Sequence, residues 1–138
     1  MTWVEVPNGS DFPLENLPYG AFSTGGDRPR IGVAIGGDVL DLAPVLDDAT
    51  FAEPTLNAFV AQGRPRWQEV RARITELLSD DRHRPAVEPH LVPQDSVSLH
   101  LPFAVGDYVD YYASEDHASN LGRMFRPDQE ALTPNWKW

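Results

Sequence analysis

The chain has 138 residues, enough for one ordinary domain or for a small domain and the opening of another. Its 21 acidic residues against 11 basic ones leave a formal charge of −10, which repels a phosphate backbone and argues against nucleic acid as a partner. The absence of cysteine excludes disulfides, iron–sulfur clusters and thiolate catalysis, so any metal must take oxygen or imidazole ligands.

No apolar run approaches the roughly 20 residues that span a bilayer, and Met1-Thr2-Trp3-Val4-Glu5 lacks the basic-then-apolar order of an export signal. The expectation is a soluble, cytoplasmic protein with no membrane partner. With 41% hydrophobic residues and no low-complexity tract, the chain can bury a core. Thirteen prolines and ten glycines favour short elements over a helical bundle: a mainly β chain with short helices, α+β in class.

In chain order, Ser10 to Gly20 reads as an ordered loop, because Pro13 and Pro18 forbid a continuous helix while Phe12, Leu14 and Leu17 want burial. Ala21 to Thr24 is a short strand. From Arg30 to Leu42, the alternating Ile31, Val33 and Ile35, the turn Gly36-Gly37-Asp38 and the returning Val39-Leu40 describe a β-hairpin. Two helices follow, a short one over about 55–62 stopped by Gly63 and a longer one over about 65–78. The longer helix places Trp67, Val70, Ile74, Leu77 and Leu78 on a core face, and Glu69 can pair with Arg73 on the other.

The charged, proline-rich stretch from Ser79 to Pro93 has no apolar period and is the best boundary in the chain. Beyond it, Val97, Leu99 and Leu101 alternate with Ser98 and His100, as a strand with one buried face does. His83 and His90 lie in the connector and His100 on the polar side of that strand, and none is assigned a role. The paired acids Asp47-Asp48 and Asp80-Asp81 read as hydrated charge.

Chemistry concentrates between Asp107 and His117, where four carboxylates, three tyrosines and a histidine fall within eleven residues. A hard cation on carboxylates, an imidazole for proton transfer and a guanidinium for an acidic substrate would make a metal-assisted hydrolytic site. The spacing by itself is weakly specific, since Asp-x-x-Asp is also a common pattern of solvated turns and helix starts. Ser114 is a candidate N-cap, and Ala118, Leu121 and Phe125, or His117, Leu121 and Met124, would share a helical face. His117 then falls in the first turn, where the helix dipole opposes positive charge on the imidazole and the neighbours Glu115 and Asp116 attract it.

Several segments resemble the fumarylacetoacetase family in order along the chain. Ser10-Asp11-Phe12-Pro13, Asn16-Leu17-Pro18-Tyr19-Gly20 with Phe22, and Arg30-Ile31-Gly32-Val33-Ala34-Ile35-Gly36 are similar to its N-terminal domain. Gly106-Asp107-Tyr108, Asp110, Tyr112, His117-Ala118, Asn120, Met124-Phe125-Arg126 and Pro134-Asn135-Trp136 resemble the opening of its catalytic domain. The resemblance implies an SH3-like barrel over residues 1–100 and the truncated start of a mixed-β catalytic domain over 101–138.

It also implies hydrolysis of the carbon–carbon bond of 4-fumarylacetoacetate to fumarate and acetoacetate, a step of tyrosine and phenylalanine breakdown. Carried over by position, His117 is the proton acceptor, Asp110 a ligand for calcium, Tyr112 and Arg126 substrate-binding residues, and magnesium a second cation of the full-length parent. A divalent cation there would chelate the diketo oxygens and stabilise the carbon leaving group as an enolate. The family's remaining metal ligands, the glutamate that orients the histidine and a Gly-Tyr-His-Gly-Arg segment would lie beyond Trp138, so this piece alone is expected to be inactive. The full-length parent is expected to be a homodimer acting on a small diketo acid. The alternatives are another enzyme of the wider superfamily, or a non-catalytic SH3-like binding or oligomerisation module.

Overall fold

The computed structural model describes residues 2–136; the ends of the two expected domains, Met1 and Trp138, lie outside them, as does Lys137. The chain divides into two compact units, Met1–Ala104 and Val105–Trp138.

The first unit is built on a five-stranded antiparallel sheet in the order β4-β3-β2-β1-β5. Its strands are β1 (Tyr19–Ser23), β2 (Arg30–Ile35), β3 (Asp38–Asp41), β4 (Leu91–Pro93) and β5 (Ser98–His100). The hairpin of β2 and β3 forms as its alternation predicts, with Val33 opposite Leu40 and Ala34 opposite Val39. Gly36 turns it at φ 56°, and a side chain there would meet Glu5 O at 2.2 Å, so both the turn and the N-terminal segment lying against it require glycine. The sheet curls into a half-barrel of the SH3-like kind with short helices attached, a mixed α/β unit.

Ala21, Ile31, Val33, Ile35 and Leu40 point from one face of the sheet into the core. The helices cover that face. They are α1 (Leu42–Leu46), a 3-10 turn (Ala49–Ala52), the single turn α2 (Asn57–Val60) and the long α3 (Arg64–Ser79), which contribute Leu42, Phe51, Phe59, Val70, Ile74, Leu77 and Leu78. Phe51 and Phe59 pack with ring centroids 5.0 Å apart. The opposite face carries Phe22, Ala34, Val39 and Leu99 around an apolar cleft of about 240 Å³.

Four expectations are corrected. Trp67 is 38% exposed and is not core; it occupies the first turn of α3, where its indole Nε1 reaches the rim and donates to Phe59 O at 3.2 Å. Glu69 pairs with Arg66 at 2.9 Å, and Arg73 with Glu76 at 2.8 Å, so the i, i+3 partners displace the expected Glu69–Arg73 pair. Leu99 and Leu101 are 75% and 83% exposed: β5 is an edge strand, and its Leu99, opposite Phe22, lines the open cleft. The stretch from Ser79 to Pro93 belongs inside the first unit. It folds as 3-10 turns around a short α4 (Arg84–Val87), buries Val87, and ends in β4 paired with β3.

Candidate functional site

The second unit begins with an extended, exposed segment over 105–114 and continues into α5 (Glu115–Phe125). Ser114 caps this helix: its Oγ accepts from the backbone N–H of His117 at 3.4 Å. Glu115 and Asp116 stand in the first turn and Arg123 in the last, the arrangement that complements the helix dipole. His117 therefore occupies the third helical position, as the capping pattern predicts.

The His117 imidazole is exposed and meets the Tyr112 ring edge-on, with centroids 5.3 Å apart and planes at 87°. Tyr112 also lines a shallow open recess with Tyr111, Ala113, Glu115 and Trp136. Of the residues singled out from sequence, the structure brings together Tyr112 and His117. Asp110 is exposed on the extended segment and makes no hydrogen bond or ion pair among the described residues.

Arg126 follows the last turn of α5, nine positions from His117 and so roughly 13 Å further along at 1.5 Å per residue. Its Nη2 donates to Ala131 O at 2.8 Å, and its Nε is buried with no partner among the described residues. The covered side of α5 is Ala118 and Gly122 with part of Leu121, whereas Met124 and Phe125 are exposed. This corrects both helical faces expected from the apolar spacing. Gly122 escaped that reading altogether, although an isolated glycine within a helical pattern is itself a signal of close packing.

Among the described residues no group of three or more His, Cys, Asp or Glu side chains is arranged to hold a metal ion. Asp110 can offer one or two oxygens where calcium takes about 6–8. The donor set of the described residues does not by itself fit a divalent cation. Nor is any helix among the described residues long and apolar enough to cross a membrane.

The chain thus joins an SH3-like half-barrel to a unit that presents a histidine in the first turn of a capped helix beside a tyrosine. The sequence profile of the family described as "Fumarylacetoacetase N-terminal" matches residues 15–102. Over 99% of its length the chain is 47% identical to the fumarylacetoacetase of Caenorhabditis elegans and 45% identical to that of Homo sapiens. Over 98% of its length it is 41% identical to that of Oryza sativa subsp. japonica. It spans 36–37% of the length of these relatives. The chain belongs to the fumarylacetoacetase N-terminal family.

Proposed function

We propose that this chain supplies the N-terminal domain and the first active-site residues of a fumarylacetoacetase, a hydrolase that splits 4-fumarylacetoacetate into fumarate and acetoacetate in tyrosine and phenylalanine catabolism. The observation that carries the reading is the His117 imidazole, fixed at the start of α5 beside Tyr112, in a chain similar over nearly its whole length to proteins of that name.

In this reading His117 takes a proton from water, and the oxygen adds to the carbonyl of the fumaroyl half. The tetrahedral adduct then collapses: the carbon–carbon bond breaks, its electron pair goes to the acetoacetate carbon, and the imidazolium returns its proton there. Tyr112, which borders the same imidazole, contacts the substrate. Arg126 pairs with a substrate carboxylate, for which a guanidinium fork is well shaped. Asp110 is one ligand of a calcium or magnesium ion whose other donors come from the rest of the longer protein. The parent is read as cytoplasmic and homodimeric, with a small diketo acid as substrate and neither nucleic acid nor membrane as partner.

An absorbance assay of diketo-acid consumption, on the intact protein that carries this chain and on the 138-residue chain alone, tests the reading. The intact protein should turn over, lose activity on chelation and regain it with calcium. The chain alone should do neither this nor bind calcium at micromolar concentration in a calorimetric titration. An intact protein without turnover, or an isolated chain that hydrolyses the substrate, contradicts it.

A further inference from the structure

Gly122 lies buried in the second half of α5, and the main chain of Ala131 occupies the place a side chain would take. A Cβ at Gly122 would stand 1.8 Å from Ala131 O and 2.6 Å from its carbonyl carbon. Both obstacles are backbone atoms, so no rotamer change relieves the collision; the returning chain itself must move off the helix. That same carbonyl accepts the hydrogen bond from Arg126 Nη2. The backbone N–H of Arg126 donates to Gly122 O at 2.8 Å, so Arg126 is tied to the glycine directly and, through Ala131, by its side chain as well.

We propose that Gly122 is a positioning residue for Arg126: its missing side chain admits the Ala131 carbonyl that aims the guanidinium at a substrate carboxylate. The inference rests on the carboxylate-binding role given to Arg126 above. The guanidinium is held at one corner only. Nη2 is engaged, whereas Nη1 makes no hydrogen bond among the described residues and Nε–H is buried without an acceptor there. With Nη2 engaged and Nε–H enclosed, Nη1 is the corner left open to an arriving carboxylate. Pushing Ala131 away frees the guanidinium to rotate, and the site then has to order it each time substrate binds. A carboxylate distant from the breaking bond is held alike in ground and transition states, so the damage falls on KM.

Steady-state kinetics of the intact protein that carries this chain, with folded fractions matched by circular dichroism, provide the test. Gly122→Ala should raise KM about tenfold, with kcat falling far less, Arg126→Gln should raise KM at least as much, and the double variant should be no worse than Arg126→Gln. An unchanged KM in Gly122→Ala beside a raised KM in Arg126→Gln overturns the positioning role alone. An unchanged KM in Arg126→Gln overturns the assignment of Arg126 on which it stands.

Nuclear magnetic resonance of the unsubstituted intact protein that carries this chain gives a second readout that does not depend on Gly122→Ala folding. The Arg126 Nε–H should exchange with solvent at least about tenfold more slowly than that of the exposed Arg123, whose guanidinium, among the described residues, meets only the exposed Asn120 Oδ1 at 3.1 Å. Equal exchange rates overturn the proposal.

Discussion

The Arg71 guanidinium donates to Leu17 O at 2.9 Å and to Glu15 O at 2.8 Å, two carbonyls of the proline-rich loop that no strand partner takes. A side chain thus supplies the hydrogen bonds that the prolines deny this segment, while Leu17 fills the core beneath it. Asn16 is fixed in the same way, its Nδ2 donating to Asp11 O at 2.8 Å. Tyr19, next along, is pushed above the ordinary phenol pKa by burial, with the nearby Arg71 charge acting in the opposite direction. Along α3 the helical spacing identified Val70, Ile74, Leu77 and Leu78 as the core stripe, but spacing does not say where along the helix its cover ends, and Trp67 lies outside it. Truncation should therefore cost about 1–2 kcal/mol for Trp67→Ala, from partial burial and one hydrogen bond, against about 3–4 kcal/mol for the fully buried Ile74→Ala. Chemical denaturation of both variants checks the order; equal losses would mean that Trp67 is core after all.

Among the elements, α3 is closed at its C-terminus by the start of the chain. Trp3 N and Thr2 Oγ1 both donate to Leu78 O, at 3.3 and 2.6 Å, and Trp3 Nε1 donates to Leu77 O at 2.9 Å. These bonds satisfy carbonyls that a helix end leaves without partners. Near the other end of α3, Arg66 Nη2 bridges to Asp48 at 2.7 Å. Burial alone would raise the Asp48 carboxyl, but hydrogen bonds from Thr50, through side chain and backbone, and from Arg66 together hold it below its ordinary value of 3.8. A carboxylate lowered by folding stabilises the fold fully above the unfolded value, and that contribution disappears as pH falls through the folded one. Arg66→Ala should therefore cost about 0.5–1 kcal/mol at neutral pH, with the gap in Tm closing as pH drops below about 4. A gap that stays constant into acid would show that Arg66 acts through packing alone.

The hairpin and α3 were legible because each carries its own period: two residues for Ile31, Val33 and Ile35, and three to four for Val70, Ile74 and Leu77. The stretch from Ser79 to Pro93 had none. Val87 is its single fully buried anchor, and Pro85 and Pro89 sit in the first turns of short helical pieces where proline is tolerated, so a folded segment looked like a linker. On β5 the alternation was correct and the burial was not, since a strand's pattern identifies its apolar side without saying what covers it.

At the scale of the whole molecule, the two units draw on the sequence differently. The first has a core assembled from contacts distant in sequence, with β4 and β5, which start at Leu91 and Ser98, completing opposite edges of a sheet that begins at Tyr19. The second rests on local signals: Ser114 caps, His117 follows in the first turn, and the aromatic partner Tyr112 lies five positions before it. The return of Ala131 onto Gly122 could not be read in the same way, because the fit depends on a loop path rather than on a period. Asp110 and Arg126 are not joined to the Tyr112–His117 pair by any hydrogen bond or ring contact among the described residues.

The most direct test of His117 as the proton acceptor is the kinetics of His117→Ala in the intact protein that carries this chain, with folding verified against the parent. Loss of a general base acts in the transition state, so kcat should fall by about 10²–10⁴-fold while KM stays within about threefold of the parent. Near-normal kcat in a folded His117→Ala protein would contradict the account.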